Sequence, residues 1–186
     1  MSALERLCAV ASRWSARLGG LVILASALLV AAEVILRNLP GGPPALRLHS
    51  FELTHYGFAA AIAFGFAYAL TERAHIRIDV LYALLPLPLR AALDALSLLA
   101  LAGMAALMAW QAWGVTAQSA RMGAMPNSTL QIPLAVPQAI WSAGLTWFAL
   151  VAALLAGQGL ARLLTGRVAA LHAASGVAVE GMRDEA

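Results

Sequence analysis

The sequence predicts an all-α integral membrane protein with four transmembrane helices and a short amphipathic interfacial helix between the second and the third. Hydrophobic residues make up 62% of the 186-residue chain and charged residues only 11%, whereas a soluble domain carries roughly 25% charged residues. A soluble protein of this length could not cover its surface with so few charges. The chain also contains apolar runs long enough to cross a bilayer, which takes about 20 residues.

The four predicted spans comprise residues 18–36, 53–70, 91–115 and 134–160. Each should be a helix, because backbone groups in lipid must be hydrogen-bonded within their own segment. Together they form a membrane domain over residues 1–165, which we expect to be followed by a mobile cytoplasmic tail over residues 166–186. No internal repeat is evident, and this argues against a self-contained transporter built from two related halves.

The connector between the second and third spans is strongly charged, so it must leave the hydrocarbon. Arg73 and Arg77 are four residues apart, as are His75 and Asp79, and each pair therefore shares one face of a helix. Apolar residues repeat at helical spacing on the opposite side, which predicts a short helix lying in the membrane interface. The candidate residues of this connector are Glu72, Arg73, His75, Arg77 and Asp79.

Orientation follows from the arginines, since the sequence contains no lysine. With four spans, both termini and the middle connector lie on one side of the membrane. That side holds nine of the twelve arginines and the opposite side holds Arg37, Arg47 and Arg121. Cytoplasmic segments are enriched in basic residues, so this bias predicts that both termini are cytoplasmic. It also explains the net charge of +3 without nucleic acid, which we do not expect as a partner.

Two acidic residues near the other side are candidates for structural or partner contacts. Glu33 precedes Arg37 by four residues, so the two either neutralise each other near the interface or bond across to a partner protein. In the second span, Ser50 is expected to cap the helix while Glu52 complements its positive end. This interpretation is also compatible with a contact between Glu52 and a partner protein.

A metal or cofactor site is not expected. His49, Glu52 and His55 are three residues apart and could share a broad helix face, but a fourth ligand is not evident. Cys8 is the only cysteine, which excludes an intramolecular disulfide and a zinc motif built on cysteines. The sequence offers no catalytic constellation, and we expect a protein that is not an enzyme.

Several short motifs, taken in order, carry a family resemblance over roughly residues 15–160. An arginine ends the first span, and a charged motif follows the second span. The motifs are Val34-Ile35-Leu36-Arg37-Asn38, Phe51-Glu52-Leu53, Ala63-Phe64-Gly65, Ala74-His75-Ile76-Arg77-Ile78-Asp79-Val80 and Leu130-Gln131-Ile132-Pro133. With these motifs in this order, the chain resembles the small permease subunits of tripartite ATP-independent periplasmic (TRAP) transporters, the DctQ-like family.

The resemblance implies a subunit of the bacterial inner membrane rather than a complete machine. Its expected partners are a large TRAP permease subunit, a periplasmic substrate-binding protein and the lipid bilayer. The expected function is to scaffold the large permease for sodium-driven uptake of an organic acid. Two alternatives stay open: a four-span anchor or assembly scaffold unrelated to transport, and a redox anchor that holds haem between facing histidines.

Overall fold

The computed structural model of the protein describes residues 3–39, 50–72, 85–127, 131–166 and position 171. These residues form four long helices, α1 (Ala3–Asn38), α2 (Ser50–Thr71), α3 (Leu87–Met122) and α4 (Ala135–Leu164), and no strand. All four helices are long and apolar enough to cross a membrane, which confirms the predicted spans in number and order. The predicted interfacial helix falls on residues 73–84, which lie outside the described residues.

The helices are longer than the apolar runs that predicted them. Helix α1 begins at Ala3, far ahead of the predicted span at Leu18, and comprises 36 residues. At about 1.5 Å per residue it is about 54 Å long, whereas the hydrocarbon core of a bilayer is about 30 Å thick. The first part of α1 therefore lies beyond the hydrocarbon. Its sequence is rich in alanine, leucine and arginine, which favour helix, so nothing ends the helix at the membrane boundary.

Proline and glycine set the ends of α3. Pro86 precedes the helix in an extended conformation and Pro88 lies in its first turn, where a missing N–H costs nothing. At the other end Gly123 adopts a left-handed conformation with φ of 58°. The N–H groups of Gly123 and Ala124 then donate to the carbonyls of Ala120 and Ser119, which satisfies the last turn of the helix.

The four helices pack side by side in the order α1, α2, α4, α3. Successive helices of the chain run in opposite directions, so the starts of α1 and α3 lie with the ends of α2 and α4. We call this the arginine-rich end of the bundle and the opposite one the far end. Among the described residues the far end holds Arg37 and Arg121, and the arginine-rich end holds Arg6, Arg13, Arg17, Arg90 and Arg162.

Small side chains dominate the contacts between α2, α4 and α3. The backbones of α2 and α4 come so close at Gly144 that an added Cβ there would lie 2.8 Å from the Cβ of Ala63. Such small residues permit close helix packing in membranes, where dispersion contacts replace the hydrophobic effect. One buried cluster joins the three helices through Ala67, Leu70, Ala105, Phe148, Val151 and Ala152.

Hydrogen bonds between side chains link α3 to α4 near the far end. The hydroxyls of Thr116 and Ser142 are 2.9 Å apart, and both residues are buried. The indole N–H of Trp113 donates to the hydroxyl of Thr146 at 2.9 Å. Interhelical bonds of this kind contribute about 0.6 kcal/mol on average in a membrane protein, so they fix the register of the two helices more than they raise stability.

Helix α1 lies at the edge of the bundle and contacts it along one stripe. The stripe repeats at alternating spacings of three and four residues, which keeps its members on one helix face. Ser15 donates to the carbonyl of Phe64 in α2 at 3.5 Å, and a Cβ on Gly19 would lie 3.2 Å from the Cα of Ala61. We define this inner stripe as Glu5, Cys8, Ser12, Ser15 and Gly19.

Candidate functional site

At the far end, Glu33 joins α1 to the start of α2. Its carboxylate accepts a hydrogen bond from the backbone N–H of Ser50 at 3.3 Å. Ser50 is the first residue of α2, so the carboxylate meets an N–H that has no partner within the helix and complements the positive helix end. Among the described residues no ion pair joins Glu33 to Arg37, which is exposed.

The first turns of α2 also carry buried polar atoms that lack a partner. Glu52 lies in the first turn, as expected for an acid that complements the helix end. Within the described part of the chain, its Oε2 atom and the hydroxyl of Thr54 are buried without a hydrogen bond. An unsatisfied buried polar group costs about 1–3 kcal/mol, so the start of α2 presents hydrogen-bonding capacity that the described bundle leaves unused.

At the arginine-rich end, Glu72 is paired with α1. Its carboxylate lies 3.3 Å from the guanidinium of Arg13, and the side chains are 43% and 52% exposed, respectively. An exposed pair contributes about 0–1 kcal/mol, so this contact steadies the end of α2 rather than holding the fold together. The other connector candidates, Arg73, His75, Arg77 and Asp79, lie outside the described residues.

A second ion pair at this end was not foreseen from the sequence. Arg162 of α4 lies 2.7 Å from Glu5 of α1, and the Glu5 side chain is only 6% exposed. The two residues are 157 positions apart, so no local spacing rule connects them. The available signal was the position of Glu5 on the inner stripe of α1, where an acid needs a basic partner on a neighbouring helix.

Asp94 is a further buried acid that sequence reasoning passed over. It lies in the second turn of α3 between Ala91 and Ala95 and is 2% exposed. Leu171 packs against the same two alanines and is fully buried. An acid inside an apolar run is the signal that marks such a position, because charged residues are rare there. At position 171, therefore, the segment predicted to be a mobile tail contacts the bundle.

The described histidine offers little for metal or haem binding. His55 is exposed, and its Nδ1 atom lies 3.3 Å from the carbonyl oxygen of Phe51 in the preceding turn. Within the described residues no group of three or more histidine, cysteine or acidic side chains is placed to hold a metal ion. His49, which completed the sequence pattern considered for a metal, is outside the described residues.

Two cavities flank the contact between α1 and α2. One, of about 380 Å³, is lined by Arg13, Ala16, Arg17 and Tyr68 at the arginine-rich end. We call it the basic cavity. The other, of about 260 Å³, lies on the side of α4 and has an almost wholly apolar lining that includes Leu18, Val22, Phe64 and Ile140.

Comparison with models of known protein families gives a match. The family model described as tripartite ATP-independent periplasmic transporters, DctQ component, matches residues 26–165. This range contains the last part of α1, residues 26–38, and the whole of α2, α3 and α4. Among curated proteins and among solved structures, no match to the chain was found.

Proposed function

Since the chain belongs to the DctQ component family of TRAP transporters, we propose that it is the small membrane subunit that scaffolds a large permease. The transport itself would be sodium-driven uptake of an organic acid, delivered by a periplasmic binding protein. The family match over residues 26–165 is the observation that carries this proposal. In this arrangement the subunit enlarges a fixed frame against which the permease moves its substrate.

The distribution of charge supports a scaffold rather than a transport path. A transport site requires ionisable groups near the middle of the membrane, or broken helices that expose backbone groups. The described helices are continuous. The apolar stretches 18–32, 53–71, 95–120 and 135–161 contain no acidic or basic residue apart from His55, near the start of α2. The buried acid Asp94 lies in the second turn of α3 and not in the middle of that helix. Substrate selection would accordingly belong to the partner proteins.

The contact with the permease would lie at the start of α2. The partnerless Oε2 of Glu52 and hydroxyl of Thr54 support this choice. A donor from the permease to the Glu52 carboxylate oxygen, and a second permease group bonded to the Thr54 hydroxyl, would remove the cost of burying these two groups without partners.

Co-purification tests the partnership. The subunit and the large permease of the same transporter are expressed together, and the permease carries the affinity tag. We expect recovery of a one-to-one complex from detergent. A homodimer of this chain without permease, with both proteins present in the membrane, would refute the proposal. Loss of sodium-dependent uptake on deletion of this subunit, measured in vesicles with the binding protein added, tests the function itself.

The contact at α2 is tested with a matched pair of variants. Glu52→Ala should lower the yield of the complex, because the permease group that bonds the carboxylate loses its partner. Glu180→Ala removes the same side chain from the C-terminal segment that was predicted to be a mobile tail, and should leave the yield unchanged. Equal yields from both variants would place the permease contact elsewhere.

We also propose that the arginine-rich end faces the cytoplasm of the bacterial inner membrane. Five described arginines lie at that end and two at the far end, counted from the positions of Arg6, Arg13, Arg17, Arg90 and Arg162 against Arg37 and Arg121. A reporter that is active only in the cytoplasm, fused to the C-terminus, should be active. Activity of a periplasmic reporter at that position would reverse the orientation.

A further inference from the structure

The basic cavity lies where phospholipid headgroups meet the protein. Arg17 is one position ahead of the apolar run that begins at Leu18, and Tyr68 is one turn before the end of α2 at Thr71. Arginines and tyrosines at the ends of spans lie at headgroup depth. The cavity, of about 380 Å³, is therefore at the level of the lipid phosphates of one leaflet.

Its two arginines are held in place by neighbouring side chains. Arg13 and Arg17 are four residues apart on α1 and so share one face of the helix. The guanidinium of Arg17 lies 5.2 Å from the centre of the Trp14 ring, while Arg13 contacts Glu72 at 3.3 Å. Each guanidinium has five N–H donors. Because each arginine makes only one of the contacts just described, most of its donors stay available for a ligand. Two oriented guanidinium groups form a site suited to a phosphate.

The surface next to the cavity is apolar and continues along the span. Leu21, Leu24 and Leu28 follow Arg17 by four, seven and eleven residues, so they extend along the same face of α1. They are 61%, 56% and 62% exposed, respectively. Charged groups at one end and an exposed leucine ridge leading into the membrane match the shape of a phospholipid, with its phosphate at the cavity and an acyl chain along the ridge.

We propose that the basic cavity binds one anionic phospholipid of the surrounding leaflet, through its phosphate. Arg13 and Arg17 donate to the phosphate oxygens, the Tyr68 hydroxyl adds a third donor, and the acyl chain lies on Leu21, Leu24 and Leu28. A zwitterionic lipid carries a cationic group that is repelled by the same arginines, so the site prefers a lipid with net negative charge. Glu72 weakens the site, because its carboxylate competes with the phosphate for Arg13.

Native mass spectrometry of the full chain tests this proposal. The protein is purified in a neutral detergent and incubated with equal amounts of phosphatidylglycerol and phosphatidylcholine. The wild type should retain one phosphatidylglycerol in preference to phosphatidylcholine. Basic residues near an anionic membrane contribute about 1 kcal/mol each, so Arg13→Gln and Arg17→Gln should each lower the preference about fivefold, and the double variant about 30-fold.

Three controls separate a lipid site from other effects. Arg121→Gln removes another exposed arginine, also beside a cavity, from the far end of the bundle, and should change nothing. Glu72→Gln should raise the retention of phosphatidylglycerol, which a merely structural ion pair would not do. Inorganic phosphate in excess should displace little of the lipid, because it lacks the acyl chain.

The proposal would be wrong if the double variant retained as much phosphatidylglycerol as the wild type. It would also be wrong if inorganic phosphate displaced the lipid fully, because the cavity would then be a site for free anions. If the double variant does not fold, two variants that preserve the size of the side chain replace it. Tyr68→Phe should lower the retention of phosphatidylglycerol, and Glu72→Gln should raise it. Unchanged retention in both would also refute the site.

Discussion

The close contact between α2 and α4 yields a quantitative prediction about two glycines of one helix. In Gly144→Ala the new Cβ would lie 2.8 Å from the Cβ of Ala63 and 3.1 Å from both the backbone carbon of Ala63 and a ring carbon of Phe64. Ordinary contacts between carbon atoms are about 3.5–4.0 Å, so the helices must separate by several tenths of an ångström or more. Gly157→Ala meets nothing within 4 Å.

Both variants gain the higher helix propensity of alanine, but only one of them overpacks a helix contact. Alanine stabilises a helix interior by about 1 kcal/mol relative to glycine, and both variants gain this amount. Overpacking costs about 1–3 kcal/mol, and only Gly144→Ala carries this cost. We therefore expect Gly157→Ala to raise the free energy of unfolding, and Gly144→Ala to lie about 1–3 kcal/mol below it.

The assay is reversible unfolding of the purified chain by sodium dodecyl sulfate in mixed micelles, followed by far-ultraviolet circular dichroism. A second substitution, Ala63→Gly, removes the closest of the three atoms and should restore part of the loss in Gly144→Ala. The expected coupling energy between the two positions is about 1–2 kcal/mol. Equal stability of the two alanine variants, or additive effects of Gly144→Ala and Ala63→Gly, would refute the packing argument.

Two further predictions concern charged residues. Glu5→Gln should lower the free energy of unfolding by about 1–3 kcal/mol, because it breaks a partly buried ion pair. Glu72→Gln breaks an exposed pair and should lower it by only about 0–1 kcal/mol. The same denaturant titration measures both. Arg77→Ala and Asp79→Ala should reduce uptake in reconstituted vesicles and complex yield, without a change of substrate preference, whereas Arg183→Ala should act like wild type. Wild-type uptake by both connector variants would contradict this expectation.

The sequence predicted the number of helices because hydrophobicity over about 20 residues is a property of composition alone. The side chains that pack these helices together could not be identified in the same way; Trp147, for example, packs against the central cluster that includes Ala105 and Ala152.

Neither the start of α1 nor the partners of the acidic residues could be predicted from hydrophobicity and spacing. The length of an apolar run reflects the thickness of the hydrocarbon and not the full length of the helix. The 15 positions from Ala3 to Arg17 were therefore left out of the first span. Spacing rules within a helix pointed Glu33 towards Arg37, while the described contact of Glu33 is with the N–H of Ser50 on the next helix. Glu5 likewise contacts Arg162 of another helix. Contacts between helices depend on the packing order, which composition does not encode.

The ion pair between Glu5 and Arg162 has a consequence for how the protein is made. A ribosome adds about 5–20 residues per second, so the 157 positions that separate the two residues take roughly 8–31 s to synthesise. During that interval Glu5 lacks this partner, although α1 and α2 can already form their hairpin in the membrane. The bond closes only once α4 is inserted, and it joins the first helix to the last. A nascent chain that stops before Arg162 therefore lacks this link between the first helix and the last, although α1 can already pack against α2.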